Sequence, residues 1–518
     1  MHQFIKRHQK DILGVLSGLD RIRFRGTIRW LSSMRGMESF LCERKIRLMQ
    51  FTAWAKGLTN QVVQASERIA ADADRPMIYL RSSSQSKEEL ALQIAQKDKI
   101  SEGLVCVFKC VEPCVTFKVG PNAQTKRLEL RQFRGKCSHY YFYMMHPQFG
   151  LLHLRLQTWL PFTIHVCLNG REWLAREMRR RKIGFEQRDN CFVSIENVAA
   201  AQNLADQQLR TDWSGLLDGL RRMFHPVHET MFGEEPMDIY WSAEETEWAT
   251  DVMFRSREAL ERIYPALVRH AITACGCQDV LRFLGRSPKI RQYRTSDIVI
   301  SSKTRPEGIC VKHRLNQNSI KMYDKQQTVL RIETTINDPR DMKVFRPREG
   351  HPGETPTWQR LRKGVADLHR RAAVSQAANE RYLDALAAVH HDQPLGETVQ
   401  KLCQSTEWQG RRVRALQPLS PDDNRLLVAV NRGEFSINGF RNRDLRALLF
   451  GTVEATAAEL KRQGARTTRQ IRMLRAHGLI RKISKTHRYT LTSKGRLAIT
   501  ALLAAQQASP QQLAQLAA

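Results

Sequence analysis

The chain has 518 residues, with 83 lysines and arginines against 52 aspartates and glutamates, so its formal charge is +31. A positive excess of this size, spread along the chain, attracts polyanions, of which DNA and RNA are the commonest partners. No apolar run approaches 18 residues and the N-terminus lacks the pattern of a signal peptide, so the composition excludes a membrane-spanning class and predicts a cytoplasmic protein.

Hydropathy patterning predicts an α+β multidomain fold with a helical N-terminus, a mixed α/β body that contains an antiparallel strand meander, and a separate C-terminal domain. The predicted boundaries are 1–75 for the helical N-terminal region, 76–225 for a mixed α/β domain, 226–345 for helices plus the meander, 346–415 for a long helix and linker, 416–505 for the C-terminal domain and 506–518 for a flexible tail. Helices are also predicted over 45–71, 243–254 (AEETEWATDVMF) and 358–389.

The chain has 11 cysteines at uneven spacing, which indicates free thiols in a reducing compartment. Cys106, Cys110 and Cys114 follow one another at intervals of four, and Cys137 and His139 lie further along the chain. Zinc sites pair cysteines at similar spacing, so these residues are candidate ligands. Cys106 and Cys110, however, fall in an apolar segment of strand character, where cysteine is usually a small buried side chain. We therefore expect reduced, metal-free cysteines.

The meander contains the candidate catalytic chemistry. Its alternating pattern predicts strands over 309–315, 319–324 and 329–336. Successive side chains of a strand point to opposite faces of the sheet. The apolar Ile320, Met322, Leu330 and Ile332 are therefore predicted to point to one face. The opposite face would gather a phenol, a carboxylate and four cations, namely Tyr323, Glu333, Lys321, Arg331, Lys312 and Arg314.

These groups suit the chemistry of a phosphodiester. Tyr323 would attack phosphorus, Lys321 and Arg331 would stabilise the phosphoryl charge, and Glu333 would hold Mg²⁺ or Mn²⁺. The segment NSIKMYDK…LRIETTIN also resembles rolling-circle replication initiators, in which a strand ending in Tyr-(Asp/Asn)-Lys precedes a strand reading Leu-Arg-(hydrophobic)-Glu. The resemblance implies tyrosine-dependent nicking and joining of DNA. The chain departs from many of these initiators because it lacks a His-hydrophobic-His metal-binding triplet. The alternative is a half-exposed structural sheet with a packed tyrosine and a Lys/Arg–Glu pair.

The C-terminal domain is predicted to run helix, short strand, helix, helix, strand, basic turn, strand. The first helix covers 422–431, the short strand 435–437 and the second helix 441–450. The third helix shows a 3.6-residue apolar period and ends at Gly478, a residue favoured just past a helix C-terminus. This order resembles the winged helix-turn-helix of the MarR-like regulators. The resemblance implies that the third helix, the recognition helix, enters the major groove of duplex DNA while the turn after it, the wing, contacts the backbone.

The predicted DNA-binding residues lie on the third helix and in the turn. They are Arg466, Arg469 and Arg472 on the helix and Lys485, His487 and Arg488 in the turn. The arginines, with Met473, are predicted to face away from Ile471 and Leu474. Arginine can hold guanine in a bidentate fork and pairs equally well with phosphate. The alternative is a solvated helix face without a ligand.

The sequence therefore predicts a basic DNA-binding protein with a C-terminal winged helix, acting on DNA phosphodiesters as a replication-initiator or mobile-element protein. Two alternatives remain open: a non-catalytic MarR-like transcriptional regulator whose body senses a ligand or partner, and a protein that binds structured RNA. Duplex DNA is the expected main partner and no membrane partner is expected. Beyond Mg²⁺ or Mn²⁺ in the catalytic case, no metal or cofactor is expected.

Overall fold

The computed structural model describes the chain with the exception of residues 82–84, 234–236, 287–296, 307, 341, 349, 352, 388–394, 433, 436–438, 452–455, 484–485, 510 and 512–518. The α-helices of the described residues are α1 His2–Arg7, α2 Met34–Glu43, α3 Phe51–Asp72, α4 Lys87–Lys97, α5 Gly170–Arg180, α6 Val198–Gln208, α7 Trp213–Phe224, α8 Arg257–Thr273, α9 Cys277–Phe283, α10 Leu368–Leu386, α11 Leu395–Leu402, α12 Pro421–Val430, α13 Asn442–Phe450, α14 Ala457–Ala476 and α15 Ser493–Gln507.

The strands of the described residues are β1 Ile12–Ile28, β2 Met77–Tyr79, β3 Gly103–Pro121, β4 Leu128–His146, β5 Gly150–Gln157, β6 Ile164–Asn169, β7 Phe185–Gln187, β8 Phe192–Ile195, β9 Ile239–Phe254, β10 Ile298–Arg305, β11 Gly308–Leu315, β12 Asn318–Lys325, β13 Val329–Ile336, β14 Lys343–Arg346, β15 Thr357–Arg360, β16 Thr406–Trp408, β17 Arg411–Val413, β18 Ile480–Lys482 and β19 Tyr489–Leu491. Among the described helices, none combines the length and apolarity needed to cross a bilayer.

The described residues divide into two compact units. The central unit comprises residues 13–253 and 333–376, and the C-terminal unit comprises 1–12, 254–332 and 377–518. Neither unit is one continuous stretch of sequence, because contacts between distant segments define each of them. The limits of these two units therefore differ from the domain boundaries that composition and hydropathy predict.

The sheet of the central unit has the strand order β9-β1-β6-β5-β4-β3-β2. The pairs from β1 to β3 are antiparallel, and β2 runs parallel to β3. Helices α2 and α3 contribute Phe40 and Phe51 to a core that also contains Phe142 of β4. Burial of such large apolar side chains is the main stabilising contribution to the unit. The general α+β class predicted from the sequence is confirmed.

The segment AEETEWATDVMF, predicted as a helix, is part of strand β9. Alanine and glutamate favour helices, which made the helical prediction reasonable. In the structure Thr246, Trp248, Thr250 and Val252 are all buried, and this two-residue spacing puts them on one face of a strand. The helix prediction was wrong because burial of these side chains in the sheet outweighs local propensity.

Two further helix predictions were right about a helix but wrong about its extent. The N-terminal region contains the predicted helical residues in α1, α2 and α3, but it is not helical throughout, since β1 occupies Ile12–Ile28 and pairs with β6 inside the sheet. The long helix expected from residue 358 begins only at Leu368, and Trp358 instead pairs with Phe345 of β14 in a two-stranded ribbon. The partner of β1 is distant in sequence, so a local apolar period could not reveal this strand.

The C-terminal unit contains β10, β11, β12 and residues 329–332 of β13, in this order in the sheet, whereas residues 333–336 of β13 belong to the central unit. Strands β11, β12 and β13 lie close to the bounds predicted for the meander. Helix α8 packs on this sheet, where the hydroxyl of Tyr264 hydrogen-bonds to the carbonyl of Ile309. The segment that begins at residue 377 also contacts this sheet, since the hydroxyl of Tyr382 on α10 lies 2.9 Å from Nε2 of His313 on β11.

Residues 395–507 of this unit share a core of their own. It includes Leu402 of α11 and Val413 of β17 together with Leu427, Leu445 and Leu474 of the three helices that follow. The segment before residue 416 was predicted as a linker. That interpretation was wrong, because α11 and the β16–β17 hairpin both contribute buried side chains to this core.

Candidate functional site

Helix α13 is joined to α14 by hydrogen bonds from its first residue, as well as by buried side chains of both helices. Nδ2 of Asn442 donates to the carbonyl of Gly464 at 3.1 Å and to Oγ1 of Thr468 at 2.9 Å. Helix α14 begins with a capping box in which Thr456 and Glu459 satisfy each other's backbone amides. These bonds set how the first turn of α13 approaches the middle of α14.

The outer face of α14 carries the three arginines that the sequence singled out. Arg466, Arg469 and Arg472 are exposed, whereas Ile471 is 4% exposed and Leu474 is fully buried. Met473 was predicted to share the outer face, but it is only 3% exposed. The reason is that α14 also packs against β16, so its buried surface is wider than the stripe marked by Ile471 and Leu474.

A basic groove lies where α14, the start of α13, the β16–β17 hairpin and the segment before β19 meet. Its volume is about 710 Å³, and none of the described residues that line it is acidic. Its basic residues are Arg411, Arg441, Arg443, Arg472, Arg475 and His487. Two aromatic rings add flat walls, since the guanidinium of Arg475 lies 4.7 Å from the ring centre of Trp408 and 5.8 Å from that of Tyr489. The groove therefore offers cationic and stacking contacts together.

A second groove, of about 440 Å³, lies on another side of α14 and differs in charge. It contains Asp422 as well as five arginines, namely Arg412, Arg414, Arg466, Arg469 and Arg472. The guanidinium of Arg466 donates to that carboxylate at 2.8 Å, so part of its charge is already compensated. Nearby, burial alone would raise the pKa of Asp423, but hydrogen bonds from a neighbouring arginine and a backbone amide lower it below its ordinary value. The second groove is thus the less cationic of the two.

The predicted wing contacts fall into three cases. His487 is exposed and lines the basic groove. Arg488 is half-buried, and its Nη1 donates to the carbonyl of Gly439 at 3.3 Å, so it helps to hold the turn. Lys485 lies outside the described residues. Strands β18 and β19 pair around this turn, and Phe440 adds a bridge to Tyr489.

Sequence reasoning missed several cations of the basic groove. Arg441 and Arg443 lie at the start of a correctly predicted helix, but nothing local showed that this helix end faces α14. Arg411 lies in the segment taken as a linker. The sequence signal there was Gly410, a residue that favours two-residue hairpin turns, and in the structure Gln409 and Gly410 form such a turn with positive φ at both positions.

The four predicted catalytic residues are mostly withdrawn from solvent. Tyr323 is 8% exposed, and the guanidinium of Arg305 lies 5.3 Å from its ring centre. Lys321 is half-buried and pairs in register with Lys312, which agrees with the predicted faces of β11 and β12. Arg331 is fully buried.

Glu333 is 3% exposed, and every residue of β13 is buried. The expectation that these side chains form an open or half-exposed polar face is therefore corrected. Because the side chains on both faces of β13 are buried, alternation along it does not separate a core face from a solvent face.

Glu333 belongs to a cluster of carboxylates in the central unit. One oxygen each of Asp20 on β1, Glu247 on β9 and Glu333 lie within 4.8 Å of one another. Arg171 lies beside them, with Nε 3.9 Å from Oδ1 of Asp20 and Nη2 3.0 Å from Oδ2 of Asp251. Three carboxylates at this spacing are the kind of ligand set that Mg²⁺ and Mn²⁺ prefer, and Arg171 compensates part of their charge.

Comparison of the chain with models of protein families, with curated proteins and with solved structures gives no match. The geometry and charge of the chain's own residues are therefore the basis for assigning a function.

Proposed function

We propose that this protein binds duplex DNA through a C-terminal winged helix, with α14 as the recognition helix. The single observation that carries the proposal is the basic groove, in which cations from three separate elements face one surface and no described lining residue is acidic. Beside the groove, Arg443 lies with its Nε 3.6 Å from Oδ1 of Asp444, and among the described residues neither Arg441 nor Arg472 forms such a pair. Cations that lie close together repel one another unless an anion neutralises their charge. The phosphates of a nucleic-acid backbone supply such anions.

The order of elements supports the winged-helix assignment. Helices α12, α13 and α14 are followed by the antiparallel pair β18–β19. Phe440, which lies in the segment between α12 and α13, forms an isolated β-bridge with Tyr489 of β19. A winged helix-turn-helix has this order, with its recognition helix just before the two wing strands. The three arginines on α14 then have room to approach base edges or phosphates, since their side chains are exposed.

The groove divides naturally into contacts of two kinds. Arg441 and Arg443 flank the first residue of α13, where the partial positive charge of the helix end adds to theirs, so they are suited to phosphates. Arg472 projects from the C-terminal part of α14 and lines both grooves, so it is the arginine best suited to reading a base. Trp408 and Tyr489 offer flat faces for sugar or base contacts.

A second candidate function is cleavage and rejoining of DNA phosphodiesters in a replication-initiator or mobile-element role. The carboxylate cluster of Asp20, Glu247 and Glu333 favours it, because such a cluster can hold the divalent ion that phosphodiester chemistry uses. Tyr323 is the proposed nucleophile and would need to become exposed before it could act. A non-catalytic regulator and a structured-RNA-binding protein are the competing functions.

The test compares two triple variants of the full chain by fluorescence anisotropy with labelled duplex DNA over a range of salt concentrations. Arg441→Ala/Arg443→Ala/Arg472→Ala removes three charges from the basic groove. The matched control, Arg180→Ala/Arg188→Ala/Arg222→Ala, removes three exposed charges elsewhere. We expect only the groove variant to lose affinity, and to lower the slope of log affinity against log salt by about 2, since Arg441 and Arg443 are assigned to phosphates and each phosphate contact contributes about 0.9.

Two outcomes would count against duplex recognition by this groove. Equal losses in the two triple variants would mean that binding follows net charge alone. A structured RNA that outcompetes duplex DNA at the same salt concentration would favour the RNA-binding alternative.

A further inference from the structure

Two cysteines and a histidine converge on one face of the long β3–β4 hairpin. Cys114 lies on β3, and Cys137 and His139 lie on β4. The register pairs Glu112 with Cys137 and Cys110 with His139, so alternation turns all of these side chains to the same face. The two sulfurs are 3.4 Å apart, and both lie within 4.8 Å of a ring nitrogen of His139.

The sulfur separation distinguishes two kinds of cysteine pair. In a disulfide the sulfurs are about 2.05 Å apart. In a tetrahedral zinc site with Zn–S bonds of about 2.3 Å, two thiolates are separated by about 3.8 Å. The observed 3.4 Å is much closer to the second value. A small outward movement of either side chain would reach it, and both cysteines are only partly buried.

The imidazole of His139 is already in the form that binds metals. Its Nδ1 lies 3.1 Å from the carbonyl of Cys137, and a carbonyl can only accept a hydrogen bond, so Nδ1 carries the proton. Nε2 therefore holds a lone pair. His139 is only 1% exposed, and Nε2 is buried with no hydrogen-bond partner. A buried acceptor without a partner is unfavourable, and a bound cation would satisfy it.

We propose that Cys114, Cys137 and His139 bind a zinc ion. The two cysteines bind as thiolates and release two protons to solvent, so the ion and its sulfur ligands are together neutral. His139 binds as a neutral imidazole, and the fourth position is open to water because both cysteines reach the surface. Two soft sulfurs and one imidazole are a ligand set that selects zinc over magnesium or calcium.

The site would link β3 to β4 near the middle of two 19-residue strands. It departs from the expectation of metal-free cysteines, which rested on the apolar character of Cys106 and Cys110. Those two are buried, as that reasoning requires, but they are not members of the cluster. The proposal is independent of DNA binding, since all three ligands belong to the central unit.

The test uses inductively coupled plasma mass spectrometry to measure the metal content of the full chain. The protein is purified under reducing conditions without chelators. We expect one zinc per chain, lost in Cys114→Ser/Cys137→Ser and in His139→Gln but kept in Cys42→Ser, which alters an exposed cysteine outside the cluster. Titration of the metal-free wild type with Co²⁺ avoids dependence on how the variants fold. It should give thiolate-to-cobalt charge transfer and the intense visible bands of a tetrahedral site.

Three results would overturn the proposal. The first is wild-type protein with neither stoichiometric zinc nor the cobalt spectrum. The second is zinc retained by the double cysteine variant. The third is a Cys114–Cys137 disulfide, mapped by peptide mass spectrometry in protein kept under reducing conditions.

Discussion

Nδ2 of Asn442, the first residue of α13, donates a hydrogen bond to Oγ1 of Thr468 on α14 across 2.9 Å. This bond joins two elements that are 26 residues apart in sequence. It brings Arg441 and Arg443, which flank Asn442, to the same groove as Arg472. The DNA-binding proposal depends on this arrangement, since the arginines of α14 alone form an ordinary solvated helix face.

Arg472 is the residue whose loss should most affect duplex binding. We expect Arg472→Ala to weaken binding by about 1–3 kcal/mol and to blur base preference, because a bidentate arginine contact is worth that much. Arg469→Ala should have a smaller effect, since Arg469 lines only the second groove. The measurement is anisotropy with sequences selected from a random duplex library. A larger loss at Arg469 would indicate that DNA lies on the second groove instead.

The core shared by residues 395–507 gives a second prediction. A fragment of residues 395–509 should fold alone and bind duplex DNA, because its helices share one core. A shorter fragment of residues 416–505 should be less stable by several kcal/mol. It lacks Leu402 and Val413, and each fully buried aliphatic side chain contributes about 1.5–3 kcal/mol. Thermal unfolding followed by circular dichroism distinguishes the two. Equal stability would show that α11 and the β16–β17 hairpin are dispensable.

The buried ion pair of the central unit gives a stability prediction. Arg171 and Asp251 are both 0% exposed, with Nη2 3.0 Å from Oδ2. Arg171→Met should lower the free energy of unfolding by about 3–5 kcal/mol, because it removes the positive charge that compensates a buried carboxylate. Arg180→Met changes an exposed arginine of the same helix and should have little effect. Urea unfolding of both variants tests this. An additional Asp251→Leu substitution should restore part of the loss.

Acid sensitivity should come from histidines that are buried in the neutral form. Burial lowers the pKa of His313 from 6.5 to about 4. The unfolded chain therefore takes up this proton first, so the stabilisation is complete above pH 6.5 and is lost as pH falls towards 4. The loss is at most about 1.4 kcal/mol per pH unit. His313→Gln keeps a group able to hydrogen-bond Tyr382 without titrating, so its unfolding free energy should depend less on pH than the wild type's. Urea titrations of both proteins at pH 7 and pH 5 measure this difference. An equal change in unfolding free energy between the two pH values would contradict the assignment.

Tyr323 is the proposed nucleophile of the second candidate function. Tyr323→Phe removes one oxygen and should leave the fold and duplex binding intact, while any covalent DNA adduct formed with Mg²⁺ or Mn²⁺ disappears. The assay is gel separation of labelled single-stranded and duplex DNA after denaturation. An adduct that persists in the variant would assign the chemistry to another residue. If no substrate gives an adduct with the wild type, the non-catalytic functions are favoured.

Local sequence patterns were sufficient for elements whose stabilising contacts lie within the element or its nearest neighbours. The helices at Asn442–Phe450 and Ala457–Ala476 and the strands of the meander occur close to where periodicity predicts them. The exposure of Arg466, Arg469 and Arg472 followed from the same period. A periodic pattern reports which side of an element is apolar, and that information is local.

The sequence by itself thus determined the basic charge, the general α+β class and the helical and meander elements named above. Only the tertiary structure decided that AEETEWATDVMF is a strand, that Glu333 meets Asp20 and Glu247, and that Arg441 shares a groove with Arg472. In each of these cases the deciding contact joins residues far apart in the chain. Burial in a sheet with such partners can outweigh local helix propensity, and no short window of sequence contains both sides of the contact.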